Sequence, residues 1–109
     1  VVASPTSAGV AYAVVVNATP LGLDVEDSLP CAGALLGPAV LAVDAPYRPG
    51  GTPLARLALR RGARLVDGFA LLLAQAAGQS ALFTGRPAAG ESLAARLPSR
   101  LSTFYEVSR

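Results

Sequence analysis

Polar side chains that could bind or transform a small molecule stand where the apolar runs of this sequence end. Asn17 and Thr19 follow one apolar run, and Asp44 and Asp67 close the next two. Amide, hydroxyl and carboxylate groups bind polar ligands by hydrogen bonds, and a pair of carboxylates can act as a general base. The two aspartates are nevertheless better explained as acceptors for amides of nearby loops than as a base pair.

The triplet Asn17-Ala18-Thr19 has a second interpretation, because Asn-x-Thr is the acceptor pattern for N-linked glycosylation in secreted proteins. The N-terminal residues show no basic segment followed by an apolar one and a cleavage site, and Pro20 directly follows Thr19. We therefore interpret the triplet as the polar end of a buried strand in a cytoplasmic protein. On the residues alone, Asn17 and Thr19 are better explained as turn formers than as ligands.

Composition narrows the chemistry further. The chain has 109 residues, of which 52% are hydrophobic and 15% charged, so we expect it to bury a core. All nine basic residues are Arg, and without Lys or His the common nitrogen bases of enzyme sites are missing. The Arg residues are scattered, so we expect no nucleic-acid partner, and the longest weakly polar run (31–43) is too short to cross a membrane. The single Cys31 excludes an intramolecular disulfide and a cysteine-rich metal site.

Three apolar runs predict β-strands, and helices are predicted between and after them. The strands are VAYAVVV (10–16), AVLAVD (39–44) and ARLVDG (63–68). A first short helix is predicted from Ser28, its cap, to about Leu36. An amphipathic helix follows, with Thr52 as N-cap, Pro53 at its first position and Gly62 beyond its end. A long apolar helix is predicted over 69–85 and a last one over 90–97. This alternation predicts an α/β fold, with a partial Rossmann-like parallel sheet of about three βα units followed by C-terminal helices.

An open parallel sheet binds its ligands beyond the carboxyl ends of its strands, which is where Asn17, Asp44 and Asp67 are expected. Three such strands make up one half of a dinucleotide-binding domain. The other half normally contains a G-x-G-x-x-G turn that holds the pyrophosphate of the dinucleotide. No such turn occurs in this sequence. We therefore expect the chain to be incomplete.

Four segments, in order along the chain, resemble the C-terminal half of shikimate dehydrogenase. They are VVNATPLGL (15–23), VDAPYRPGGTPL (43–54), VDGFALLLAQAA (66–77) and LFTGRPA (82–88), where Phe83 stands in place of the family's Trp. The resemblance extends over about residues 10–97 and implies an enzyme that uses NADP in the reversible reduction of 3-dehydroshikimate to shikimate, in aromatic amino-acid biosynthesis. The family's proton-transferring Lys and Asp and its Gly-rich loop have no counterpart here, so the chain alone is expected to be inactive.

The resemblance also assigns roles to individual residues. The implied cofactor contacts are Asn17, Thr19, Ala45, Gly68 and Leu71, and the implied substrate contacts are Tyr47 and Gln75. Leu71 stands where the family commonly has a Met against the nicotinamide, and Ala45 replaces another apolar contact residue. Without the family, Tyr47 is equally well explained as a loop anchor and Gly68 as an ordinary strand-to-helix turn. Gln75 lies in an apolar helix, where a buried amide needs a partner, and this favours a binding role.

By the same resemblance, residues 1–67 form the second half of an NADP-binding domain, residues 68–97 form helices that pack back towards a substrate domain, and residues 98–109 form a tail. Two other hypotheses stay open on the sequence. One is a free-standing, non-catalytic module whose Gly- and Pro-rich strand ends bind a partner or a small ligand. The other is a truncated product of a decayed gene with no function of its own.

Overall fold

The computed structural model describes residues 11–87 and Ala95. In chain order, its elements are strand β1 (Val14–Asn17), a 3-10 turn (Gly33–Leu35), strand β2 (Leu41–Asp44), helix α1 (Pro53–Arg60), strand β3 (Arg64–Asp67) and helix α2 (Gly68–Thr84). The three strands form a parallel sheet with β2 in the centre. This confirms the predicted α/β class. The predicted helix over 90–97, apart from Ala95, and the tail from residue 98 lie outside the described residues.

The three strands end level with one another. β1 pairs with β2 so that Asn17 lies beside Asp44, and β2 pairs with β3 so that Asp44 lies beside Asp67. Each strand has four residues and is shorter than the apolar run that predicted it. Because the strands are parallel, their polar ends meet at one edge of the sheet, as the sequence predicts.

Helix α1 begins and ends at residues whose local signals are visible in the sequence. The Thr52 hydroxyl accepts a hydrogen bond from the Ala55 amide at 3.0 Å, and Pro53 occupies the first turn, where no amide donor is needed. At the other end, Gly62 adopts a left-handed φ of 73°, and its amide donates to the Leu59 carbonyl at 3.0 Å. The predicted N-cap, first-turn proline and terminal glycine are confirmed.

Helix α2 begins at Gly68, one residue before its predicted start. The Asp67 carboxylate caps it by accepting a hydrogen bond from the Ala70 amide at 2.8 Å. It ends at Thr84, and the next residue, Gly85, has a left-handed φ of 67° and donates to the Ala81 carbonyl at 2.9 Å. The predicted long helix is therefore confirmed. Neither helix in the described part of the chain is long and apolar enough to cross a membrane.

The hydrophobic core lies between the sheet and α1. Its buried residues are Leu36, Val40, Ala42, Leu54, Ala58 and Ala63. Successive strand residues point to opposite faces, so Ala42 and Asp44 share the face of β2 that α1 covers. The N-terminus of α1 consequently stands over the strand end that carries Asp44.

Part of the apolar surface of this region is uncovered. Val16 on the edge strand β1 is 61% exposed. Helix α2 is apolar on all sides; Phe69 at its start is buried, but Leu82 and Phe83 near its end are 86% and 87% exposed. A helix of this composition is normally buried in a folded protein. Large exposed apolar patches mark surfaces that contact other protein.

The prediction of a helix between Ser28 and Leu36 is wrong. Only the 3-10 turn Gly33–Leu35 forms in this segment. A short helix is unstable because its first turn fixes several residues for a single hydrogen bond, and Gly33 in its middle weakens it further. Gly33 instead packs against α1, where an added Cβ would lie 2.8 Å from Leu57 Cδ2. Tertiary contact, and not local helix propensity, shapes this connection.

Candidate functional site

The Asn17 side chain organises the turn that follows β1. Its Oδ1 accepts hydrogen bonds from the Thr19 amide at 3.0 Å and the Thr19 hydroxyl at 2.7 Å. Its Nδ2 donates to the Leu21 carbonyl at 3.0 Å and to Asp44 Oδ1 at 2.7 Å. A carboxamide has two donor hydrogens and two acceptor lone pairs, so these four bonds use its full capacity. Asn17 is buried, and its bond to the Thr19 amide is the turn-forming contact expected from the sequence.

Thr19 lies at the tip of this turn. Its hydroxyl donates to Asn17 Oδ1 and accepts from the Leu21 amide at 3.2 Å. A hydroxyl has one hydrogen and two lone pairs, so these two bonds leave one acceptor position. Thr19 is only half-buried, which leaves its side chain open to the space beyond the strand ends.

The rest of the loop is closed by Asp27 and packs on α1. Asp27 Oδ2 accepts hydrogen bonds from the amides of Gly22 at 2.8 Å and Asp24 at 3.0 Å. The amides of Asp24 and Gly22 lower the pKa of Asp27 below its ordinary value. Gly22 has a φ of 110°, and a Cβ there would lie 3.1 Å from Thr52 Cβ. The loop from Asn17 to Asp27 thus contacts the residue that caps α1.

Asp44 is the buried centre of the strand-end group. Its Oδ1 accepts the hydrogen bond from Asn17, and its Oδ2 accepts a short hydrogen bond from the Thr52 hydroxyl. Burial raises the pKa of Asp44 above its ordinary value, although the bonds from Thr52 and Asn17 oppose this rise. The side chain has no exposed surface, so it has no route to a bound ligand.

The two strand-end aspartates therefore do not form a general-base pair. Asp44 is engaged by the side chains of Asn17 and Thr52, and Asp67 caps α2 through the Ala70 amide. Both carboxylates serve as acceptors within the fold. The expectation of loop amides is met by neither: Asp67 accepts from an amide in the first turn of α2, and Asp44 accepts from two side chains.

Gly68 is buried directly beneath the loop that follows β2. A Cβ at this position would lie 2.1 Å from the Ala45 carbonyl oxygen and 2.7 Å from the Pro46 carbonyl oxygen. Real Cβ atoms essentially never approach this closely, so the backbone path from Ala45 to Pro46 requires glycine at position 68. Sequence reasoning missed this requirement, because the contact joins residues that are distant along the chain.

The loop between β2 and α1 carries Tyr47 and Arg48. Tyr47 is 48% exposed. Beside it is a cavity of about 10 Å³, room for one water molecule, lined by Pro46, Tyr47, Arg48, Gly51, Thr52, Ala55 and Asp67. Arg48 Nη1 is buried and has no hydrogen-bond partner among the described residues. The sequence analysis gave Arg48 no role. Its position as the one charged side chain in a loop rich in Pro and Gly is the feature that could have drawn attention to it.

The remaining predicted contacts lie on α2. Leu71 is half-buried in its first turn, and Gln75 is exposed one turn later. Gln79 on the same face is also exposed. Gln75 therefore is not the buried amide that the apolar sequence of this helix suggests, and the described residues leave its amide open to contact. The structure gathers the strand-end residues but leaves Gln75 apart from them on the helix.

Similar proteins are found both by sequence and by structure, although no protein-family model matches. The shikimate dehydrogenase (NADP(+)) of Rubrobacter xylanophilus is 45% identical over 73 residues, which are 66% of this chain and 26% of that protein. The chain is related to shikimate dehydrogenases. The solved shikimate dehydrogenase of Aquifex aeolicus is 27% identical with a TM-score of 0.63, over 89% of this chain and 32% of that one.

A second solved neighbour is a quinate dehydrogenase. The quinate dehydrogenase of Corynebacterium glutamicum, solved in complex with NAD, is 26% identical with a TM-score of 0.65, over 86% of this chain and 31% of its own. This chain thus spans between a quarter and a third of the length of the shikimate dehydrogenases and related structures it matches. Its Rossmann-like sheet is the fold expected from the resemblance.

Proposed function

We propose that this chain forms the C-terminal part of an NADP-dependent shikimate dehydrogenase, which reversibly reduces 3-dehydroshikimate to shikimate. The strand ends carry this proposal, because Asn17, Asp44 and Asp67 lie side by side at the ligand-binding edge of a parallel sheet. The loops that leave this edge contain the segments by which the sequence resembles the family. The 45% identity to the R. xylanophilus enzyme supports the same assignment.

The residues at this edge suit the nicotinamide end of the cofactor. Thr19 offers a hydroxyl with one acceptor position left, Ala45 and Leu71 present apolar side chains to a flat ring, and Gly68, buried beneath Ala45, is proposed to contribute only its backbone. NADP, when bound, supplies the hydride that reduces the ketone. No Gly-rich turn for its pyrophosphate occurs in this sequence, so that end of the cofactor is held by residues outside the 109.

Asn17 contributes to this site by holding the turn. Its amide has no hydrogen-bonding capacity left for the cofactor, since Thr19, Leu21 and Asp44 use all of it. Gly68 must be glycine because of its contact with the Ala45 carbonyl, and its place beside the nicotinamide is proposed from the resemblance alone. Tyr47 and Gln75, both exposed, are the proposed substrate contacts from this chain.

The proton for this reaction is proposed to come from outside this chain. The sequence has no Lys and no His, and Asp44 is buried with both oxygens engaged. Asp67 caps α2. We therefore propose that the chain orients cofactor and substrate, that a proton donor from elsewhere acts on the substrate oxygen, and that the isolated chain is inactive.

The exposed apolar surface supports the proposal that this chain works together with other parts of a larger protein. Val16 on β1 and Leu82 and Phe83 on α2 are the kind of residues that another part of a protein covers. We propose that residues 1–67 complete a nucleotide-binding domain, that residues 68–97 pack towards a substrate domain, and that residues 98–109 form a tail.

A chimera tests the proposed function. The full 109-residue chain replaces the matching part of the R. xylanophilus enzyme, and formation of NADPH or NADH from shikimate or quinate is followed by absorbance. We expect the chimera to oxidise shikimate with NADP and the isolated chain to do so no faster than a blank. The R. xylanophilus enzyme without its matching part is the control. A chimera that unfolds cooperatively but oxidises neither substrate would contradict the proposal.

A further inference from the structure

One buried carboxylate connects the two loops proposed to carry the ligand contacts. Asp44 Oδ1 accepts from Asn17 Nδ2 at 2.7 Å, and Asp44 Oδ2 accepts from the Thr52 hydroxyl. The three side chains are 3%, 0% and 2% exposed in the order Asn17, Asp44, Thr52. Both oxygens of Asp44 are engaged, and hydrogen bonds in a site shielded from water are stronger than in solution.

On the Asn17 side, the hydrogen bond to Asp44 fixes the position of the turn that carries Thr19. The same amide that donates to Asp44 also donates to the Leu21 carbonyl, and its oxygen holds both the amide and the hydroxyl of Thr19. Moving the Asn17 amide therefore moves Thr19. The position of this turn depends on where Asp44 holds Asn17.

On the Thr52 side, the connection sets the end of the loop that carries Tyr47. The Thr52 hydroxyl donates to Asp44 and accepts from the Ala55 amide at 3.0 Å, so the carboxylate fixes the start of α1. The two loops also lie close together, since even a Cβ added at Gly22 would come within 3.1 Å of Thr52 Cβ. This proximity would let a displacement of one loop affect the other.

We propose that Asp44 is a positioning residue that sets both loops at once, placing Thr19 against the cofactor and Tyr47 against the substrate while touching neither ligand. This assignment rests on the proposed function for its ligands. The coupling between the loops does not, because it can be measured without turnover.

The first test exchanges the two partners in the chimera. Asn17→Asp puts a second carboxylate 2.7 Å from Asp44 Oδ1 and removes the donor. The double variant Asn17→Asp/Asp44→Asn restores the bond between positions 17 and 44 with donor and acceptor exchanged, and the Thr52 hydroxyl keeps an oxygen to bond. The bond from position 17 to the Leu21 carbonyl is lost in both variants. We expect the single variant to raise the KM for NADP and for shikimate about tenfold each, and the double variant to recover part of that loss for both.

The thermal midpoint is recorded for each variant, and KM values are measured well below it. A role confined to stability would shift the midpoint and leave both KM values unchanged, which would overturn the proposal. The proposal also fails if the double variant is no better than the single one. The matched pair Thr52→Val and Thr52→Ser checks the other side: Val should raise the KM for shikimate, and Ser, which keeps the hydroxyl, should not.

The second test does not depend on activity. Hydrogen exchange is measured at the Ala55 amide, which lies on α1 and is hydrogen-bonded to Thr52 and not to Asn17. We expect Asn17→Asp to accelerate exchange there about tenfold and the double variant to restore protection. Unchanged exchange at Ala55 would overturn the coupling. If exchange responds as expected in a chimera that does not turn over shikimate, the coupling stands and the proposed function fails.

Discussion

Replacing Gly68 with alanine should destabilise the protein through one backbone contact. The new Cβ would lie 2.1 Å from the Ala45 carbonyl oxygen, and ordinary contact begins at 3.4 Å. The carbonyl would have to move by about 1.3 Å, and the Pro46 carbonyl oxygen at 2.7 Å would have to move as well. Both obstructing atoms belong to the backbone, so no change of side-chain rotamer relieves the clash.

Two opposing terms set the size of the effect. Forcing an extra methyl group into a packed site costs about 1–3 kcal/mol, and a clash with backbone belongs at the upper end of that range. Gly68 is the first residue of α2, where the better helix propensity of alanine would add at most about 1 kcal/mol to the free energy of unfolding. The free energy of unfolding should therefore fall by about 2 kcal/mol.

Urea unfolding of the chimera followed by circular dichroism measures this loss. Gly78→Ala is the matched control, because Gly78 lies in the same helix and a Cβ there meets no atom within 4 Å. The free energy of unfolding of this control should rise by about 0.5–1 kcal/mol. If Gly68→Ala were as stable as the parent, or if both variants shifted alike, the required contact between Gly68 and the Ala45 carbonyl would be wrong.

Three further predictions concern the substrate contact, the isolated chain and pH. In the chimera, Gln75→Ala should lower kcat/KM for shikimate about five- to a hundredfold, and Gln79→Ala should change it little; a larger effect of Gln79→Ala would contradict the assignment. The isolated chain should associate or pack loosely through exposed residues such as Val16 and Phe83, so a sharp thermal transition of a monomer would argue for a free-standing module. Burial raises the pKa of Asp44 above 3.8, so the native state binds this proton more tightly than the unfolded state, and stability should fall as pH rises from about 4 through the native pKa. Asp44→Asn should flatten that part of the stability profile in urea titrations, and an unchanged slope would count against the raised pKa.

Elements set by local signals could be predicted from the sequence. Thr52, Pro53 and Gly62 mark the ends of α1 by their own hydrogen-bonding and backbone preferences, and the structure has them in those roles. The polar ends of the strands were visible for the same reason, since Asn17 and Asp67 each follow a short apolar run. Parallel pairing then brings such ends to one edge without further information.

Features set by tertiary contact could not be predicted. The bond between Asn17 and Asp44 joins positions 27 apart in sequence, and only the strand register brings them together. The requirement for Gly68 depends on the path of the Ala45 backbone. The segment from Ser28 carries a plausible helix cap, but the hydrogen bonds at its end form only the 3-10 turn Gly33–Leu35, and packing on α1 decides its shape.

The hydrogen-bonding capacity of the strand-end group fits the proposal that this chain positions ligands and does not itself transfer the proton. Asn17 uses all four of its hydrogen-bond positions within the fold, and Asp44 engages each of its oxygens with a neighbouring side chain. A buried carboxylate bound in this way is poorly placed to exchange protons with a ligand. What the edge offers outward is one acceptor position on Thr19 and the exposed side chain of Tyr47. A rigid polar centre with a sparse outer surface suits the proposed role of orienting a cofactor and a substrate, in which the proton comes from a residue outside this chain.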